Sequence, residues 1–241
     1  MHVEIWSDVV CPWCYIGKRR FESALAQFRH RDDVTVTFRS FQLDPTAPRD
    51  TDVTVNERLA GKYGVSQAQA AAMNERVSAL AAQEGLDYHL ENARYANTFD
   101  AHRLLHLAAA HDRQQEVKER LLRAYFTEGA AIGDPETLVR LVAEAGIDVD
   151  EARAVLDGDA YADDVLADER QARALGITGV PFFVVDEKYG VSGAQPPDLL
   201  KDVLERAWSD AHPLIMAGMA GAEGDEAGAC DGDVCDVPPS H

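Results

Sequence analysis

The residues of this chain best equipped for chemistry are two pairs of cysteines, Cys11 with Cys14 near one end and Cys230 with Cys235 near the other. Two thiols set two residues apart can supply half of a zinc site, close a structural disulfide, or open and close as a redox pair. The stretch SDVVCPWCYIGKRRFESAL, residues 7 to 25, distinguishes among these. Pro12 suits the first position of a helix, where its missing N–H costs nothing, and Cys11 then becomes the N-cap. From there the amides of Trp13 and Cys14 are expected to point back at the Cys11 sulfur, as they would at a capping oxygen. Such a place favours the thiolate, the nucleophile of disulfide exchange, by about 0.3–1 kcal/mol from the helix terminus alone. Cys14, one turn into the helix, is expected to be the more buried sulfur and the resolving partner. A four-thiolate metal site completed by Cys230 and Cys235 is the main rival. Pro12 and the helix behind it favour the redox pair, and no metal is assigned.

Other side chains have both a chemical and a plain reading. His102 and His106 stand four apart on one predicted helix face; with no third ligand in view, a solvated or interdomain face is the expectation. Asp8, three residues before Cys11, either relays protons or closes a turn. Asn97 either lines a cleft or caps a helix, and Trp6 and Trp13 either flank a cleft or fill the core. The acidic run DGDVCD is read as solvated.

The elements that must position the first pair are legible in outline. Residues 2–7 read as a strand ending at the cysteines, Pro12 to about His30 as a helix, and residues 34–41 as a second, alternating strand. Strand, helix, strand suggests a βαβ unit with a parallel pair. Between about residues 50 and 170 only helices are predicted. Capping-box spacing joins Thr54 to Glu57 and Ser66 to Gln69, Gly64, Gly85 and Gly146 serve as stops, and Asp134 with Pro135 opens a further helix. Strands return in GVPFFVVDEKYGVSG as a hairpin turning at Asp186 to Lys188, and Pro196 or Pro197 starts a closing helix. Pro181 cannot sit within a central ladder, so it marks an edge or a strand start; composition leaves its peptide geometry open.

This pattern is one α/β domain interrupted by helices: residues 1–48 and 172–210 as the discontinuous α/β part, 49–171 as an all-helical insertion, and 211–241 as a flexible acidic tail with the second cysteine pair. The 241 residues carry 42 acidic against 23 basic side chains, a net charge of -19. A surface this acidic makes nucleic acid and anionic membrane poor partners. No apolar run reaches membrane-spanning length and no secretory signal is visible, so a cytoplasmic location is the expectation, and there a cysteine pair is more often catalytic or metal-binding than structural.

Against this background, a strand ending in Cys-Pro-Trp-Cys on a helix, a helical insertion, and Val-Pro before the final hairpin resemble the DsbA family of thioredoxin-fold proteins. SDVVCPWCYIGKRRFE, NTFDAHRLLHLA, AYFTEGAAIGDPETL and GVPFFVV followed by SGAQP look more narrowly like its FrnE-type branch, over about residues 3 to 199. The resemblance implies a thioredoxin-like fold and a thiol–disulfide oxidoreductase or isomerase without bound cofactor. In it Cys11 attacks, Cys14 resolves, and Pro181 is a cis-proline beside them. Protein or peptide substrates would lie along Val180, Pro12 and Trp13, with glutathione or another small thiol as a further partner. Cys230 and Cys235 match in place a second pair that some FrnE-type proteins carry, and a tail of about 20 residues reaches around 25 Å, enough to pass electrons to Cys11 and Cys14. Relatives of the same architecture that use glutathione as isomerases or transferases lack the redox pair. That chemistry is the runner-up reading, and a thiolate metal-binding or chaperone-like protein is the non-enzymatic one.

Overall fold

The computed structural model describes residues 1–49 and 51–213. The chain runs β1 (His2–Ser7), α1 (Pro12–Gln27), a 3-10 turn (Arg31–Asp33), β2 (Thr35–Ser40), α2 (Val55–Tyr63), α3 (Gln67–Gln83), α4 (Phe99–Ala110), α5 (Gln114–Phe126), α6 (Pro135–Glu144), α7 (Val149–Asp157), α8 (Ala162–Ala174), β3 (Phe182–Val185), β4 (Tyr189–Ser192) and α9 (Pro197–Ala211). The four strands form one sheet in the order β2-β1-β3-β4. β1 and β2 are parallel, with Ile5 opposite Phe38, while β3 runs antiparallel to both β1 and β4, with Phe183 opposite Ile5 and Val191. This is the thioredoxin-like α/β fold with its helical insertion expected from the sequence.

Alternation along β1 sets the layers, since successive side chains leave a strand on opposite faces. Val3 and Ile5 join Phe21 and Ala24 of α1, Phe28 just beyond its end, and Leu200, Leu204 and Ala207 of α9 in one apolar layer. Trp6 goes the other way, packing with Ala172 of α8, Ile177 and Val184. The largest core lies among the helices and includes Leu104, Leu121, Leu122, Leu138 and Leu141, with Val9, Tyr15 and Ile16 packed into it. The start of α1, which carries the cysteines, is therefore held between the sheet and the helices.

Local signals account for several boundaries. Thr54 with Glu57 and Ser66 with Gln69 form complete capping boxes, and the Asp134 side chain accepts from the Thr137 amide. Gly64 and Gly146 follow helix ends at φ 63° and 94°, a region open to glycine at little cost. Pro197 occupies the first position of α9 with Pro196 as its N-cap. α1 stops at Gln27, three residues short of the expected end, where Phe28 turns extended to reach the apolar layer.

Candidate active site

The loop after β1 delivers Cys11 to the N-cap of α1 in an extended conformation (φ -88°, ψ 112°), with Pro12 at the first helical position. The Cys14 amide donates to the Cys11 carbonyl at 3.0 Å. The Cys11 side chain makes no capping bond. Its thiol instead donates to the Val180 carbonyl at 3.5 Å. The expectation that the Trp13 and Cys14 amides cap the sulfur is thus corrected, because the side chain turns from the helix toward the loop before β3. The expected difference in burial is corrected as well, since Cys11 and Cys14 are each 3% exposed. Both carry free thiols. Burial, with the neighbouring Cys11 adding to it, holds the Cys14 thiol well above its usual ionisation range.

That loop meets α1 from the opposite side. The Val180–Pro181 peptide bond is cis, and Pro181 directly precedes β3, a strand start as its place in the sequence required. The Gly193 amide donates to the Pro181 carbonyl at 2.8 Å, tying the loop to the end of β4. Gly17 makes the approach of α1 feasible, because a Cβ there would lie 2.8 Å from Pro181 Cγ. Trp13 stands outside this junction at 40% exposed. A cavity of about 200 Å³ opens beside Pro12, walled by Val10, Leu43, Val55, Leu59 and Tyr95. The Tyr88 hydroxyl donates to the Pro12 carbonyl at 2.8 Å, and its ring stacks on Phe126 at 4.6 Å.

Behind the cysteines lies a buried polar group. Asp8 is fully buried and accepts from the Val9 and Leu43 amides, each at 2.8 Å, with His102 Nε2 at 3.2 Å. Burial would raise its carboxyl, but the bonds to His102 and Leu43 and the charge of His102 outweigh it and hold the group below the usual range. Asp8 therefore closes the turn. His102, on α4, is buried against it, which is the interdomain rather than the solvated of the two expected faces. His106 faces a different acid, Asp168, at 3.1 Å, so the two histidines do not converge. Asn97 holds a loop through the Pro45 and Ala47 carbonyls and accepts from the Phe99 amide at the head of α4. Trp6 is core, its indole donating to the Asp168 carbonyl at 3.1 Å. Among the described residues no group of three or more His, Cys, Asp or Glu side chains is arranged to hold a metal. Cys230, Cys235 and the run DGDVCD lie outside the described residues.

Sequence reasoning passed over Tyr88, Gly17 and Lys118. Lys118 had a readable signal: Leu121, Leu122 and Tyr125 follow it at helical spacing, which places a lysine on the apolar face of α5.

A four-stranded sheet with a Cys-Pro-Trp-Cys pair at the head of α1 facing a cis-proline loop defines a thioredoxin-fold chain of the thiol–disulfide type. The chain belongs to the DsbA-like thioredoxin domain family, matched over residues 2–205. It is 30% identical over 216 residues to YwbO of Bacillus subtilis strain 168, covering 87% of this chain and 96% of YwbO. The crystal structure of a probable DsbA oxidoreductase from Streptomyces coelicolor is 48% identical and superposes with a TM-score of 0.85, covering 99% of this chain and all of that one (100%). The fold is shared more distantly with the cytosolic disulfide reductase DsbM of Pseudomonas aeruginosa with GSH, at 18% identity and a TM-score of 0.61 over 86% of this chain and 99% of that one.

Proposed function

We propose that the protein is a thiol–disulfide oxidoreductase acting on protein or peptide thiols through Cys11 and Cys14. The observation that carries this reading is the Cys11 sulfur at the head of α1, 3.5 Å from the Val180 carbonyl beside Pro181. Cys11 attacks the substrate disulfide, a mixed disulfide forms, and Cys14 displaces the substrate. In this reading the Val180 backbone pairs with an extended substrate segment, and Pro12 and Trp13 present the surface it meets. Trp13 is suited to that by its exposure. Glutathione or a similar small thiol returns the pair to its starting state, a partner supported by the GSH bound to DsbM. A cytoplasmic setting accords with that protein's, and among the described residues no helix is long and apolar enough to cross a membrane. The tail pair Cys230–Cys235 is read as an electron relay to Cys11 and Cys14.

The test is insulin reduction with a small-thiol reductant. Cys11→Ser should lower turnover to the uncatalysed rate, whereas Cys14→Ser should accumulate a mixed disulfide visible on a non-reducing gel. Turnover that survives Cys11→Ser would overturn the reading.

A further inference from the structure

Tyr88 reaches the cysteines from the helical insertion. Its hydroxyl donates at 2.8 Å to the Pro12 carbonyl, which belongs to the Pro12–Trp13 peptide unit between the two thiols. Its ring stacks on Phe126 at 4.6 Å and on Tyr15 at 6.1 Å, and the residue is buried. Both chain neighbours are tied to the end of α5. The His89 amide donates to the Phe126 carbonyl at 2.6 Å, and the Thr127 hydroxyl donates to the Asp87 carbonyl at 2.7 Å. The hydroxyl is therefore fixed by its own ring and by the backbone on either side. The helix does not need this bond to form, since the Ile16 amide already reaches the Pro12 carbonyl in a regular α-helix.

One amide at the head of α1 is left over. Pro12 has no N–H, and the Cys14 amide is taken by the Cys11 carbonyl at 3.0 Å. The Trp13 amide is among the first four that a helix does not satisfy internally, and it donates to no partner among the described residues. The Cys11 thiol meanwhile points at the Val180 carbonyl, 3.5 Å away. A thiolate has no proton to donate, and that carbonyl oxygen would repel it. We propose, on the oxidoreductase reading above, that Tyr88 is a positioning residue for the attacking sulfur. On ionisation Cys11 turns from the Val180 carbonyl to the Trp13 amide, and the Tyr88 hydroxyl holds and strengthens that amide through the Pro12 carbonyl. The Cys11 proton goes to solvent, and no electrons move in this step.

The donors and acceptors run in one direction, from the Tyr88 hydroxyl to the Pro12 carbonyl and from the Trp13 amide to the Cys11 sulfur. The oxygen and the N–H of one peptide unit share electrons across the C–N bond. A donor at the oxygen therefore makes the N–H a better donor, by roughly 10–30% per bond. For a bond to an ionised sulfur this is about a two- to threefold gain in thiolate. The phenol keeps the proton it donates, because burial, and after it the charge on Cys11, hold that proton on far above the ordinary tyrosine range. Other titratable groups stand around this turn: Asp8 ahead of it, Cys14, Tyr15 and Arg19 on α1, and Lys118 and Glu119 on α5. Loss of the Tyr88 hydroxyl alone removes none of them.

The experiment follows alkylation of the reduced full chain by iodoacetamide across the acid and neutral pH range, read at the Cys11 peptide by mass spectrometry. It compares the wild type, Tyr88→Phe, and the chain with difluorotyrosine, whose hydroxyl is a stronger donor, in place of Tyr88. Tyr88→Phe keeps the ring and its stacking and loses only the hydroxyl. Its profile should be displaced to higher pH by about 0.3–0.5 unit, a two- to threefold loss of thiolate below the midpoint. Difluorotyrosine should displace the profile the other way. Superimposable profiles for the wild type and Tyr88→Phe would overturn the proposal. So would a difluorotyrosine profile that stays in place or moves with that of Tyr88→Phe, which is what loosened packing alone would give. The profiles need no turnover. A wild type that fails to reduce insulin yet shows both displacements would therefore count against the oxidoreductase reading alone.

Discussion

At the scale of single residues the site depends on one missing side chain as well as on two sulfurs. A Cβ at Gly17 would meet Pro181 Cγ at 2.8 Å and Ala194 Cβ at 3.5 Å. Real Cβ atoms do not approach that closely, and a proline ring has no flexible end to move aside, so Gly17→Ala should push the loop away from Cys11. Overpacking of this kind costs typically ~1–3 kcal/mol, partly offset by the gain of about 0.8–1 kcal/mol when alanine replaces glycine within a helix. The larger effect should be on function, because a misplacement of about 1 Å can reduce rate ~100-fold. Insulin turnover should fall at least tenfold while the melting temperature moves by only a few degrees. Turnover equal to the wild type would show that the loop's position does not matter to the reaction. Cys11, Cys14, Pro12 and Pro181 announce themselves in the sequence, because a thiol pair at a helix start and a proline opening an apolar strand are local facts. Gly17 does not, since its role exists only when a residue 164 positions later is brought against it.

At the scale of elements, the contact between α1 and α5 turns on Glu119. Its carboxylate accepts from Tyr15, Lys18 and Arg19, neighbours at i, i+3 and i+4 on the face of α1 that follows Cys14. Partial burial acts to raise its pKa, but the bonds from Arg19 and Lys18 outweigh that and bring it from 4.5 down to about 2. A carboxyl depressed on folding contributes stability above its unfolded pKa and loses it as pH falls toward the folded one. The window here is from about 4.5 to about 2. Screening at a side chain that is 32% exposed tempers the gain, to an order of ~1–2 kcal/mol at neutral pH. Urea unfolding between pH 2 and 7 should show the wild type and Glu119→Gln differing by that amount above pH 5 and converging near pH 2. Parallel curves would remove Glu119 from the acid sensitivity. The helices on either side of this contact differ in how legible they were. Thr54 and Ser66 cap α2 and α3 with their own side chains and could be read directly. The head of α4 is held by the Asn97 side chain at the Phe99 amide, whereas α8 follows Tyr161 with no side-chain cap, so what fixes that end is tertiary packing, which the sequence displays only as apolar spacing. Likewise the parallel pairing of β1 with β2 followed from strand, helix, strand, whereas the antiparallel pairing of β1 with β3 joins residues about 180 positions apart.

At the scale of the whole molecule the field of -19 charges bears on which thiols react readily. A chain of this length has a radius of gyration of about 18 Å. At ~0.01 M ionic strength the Debye length is about 30 Å, so an approaching ion feels the entire charge, while at ~0.15 M it is about 8 Å and only the neighbourhood of Cys11 counts. A like-charged thiol is therefore held off at low salt and admitted as salt rises, and an oppositely charged one is drawn in and then released. The second-order rate with glutathione, a net anion, should rise about three- to tenfold between ~10 and ~150 mM salt. The rate with cysteamine, a cation, should fall over the same range, and that with the neutral mercaptoethanol should stay flat. Residues 223–236 hold six carboxylates and no Lys or Arg, so truncation after residue 213 should shrink both slopes without reversing them. Equal slopes for the anionic and cationic thiols would mean that the molecule's field does not govern access to Cys11.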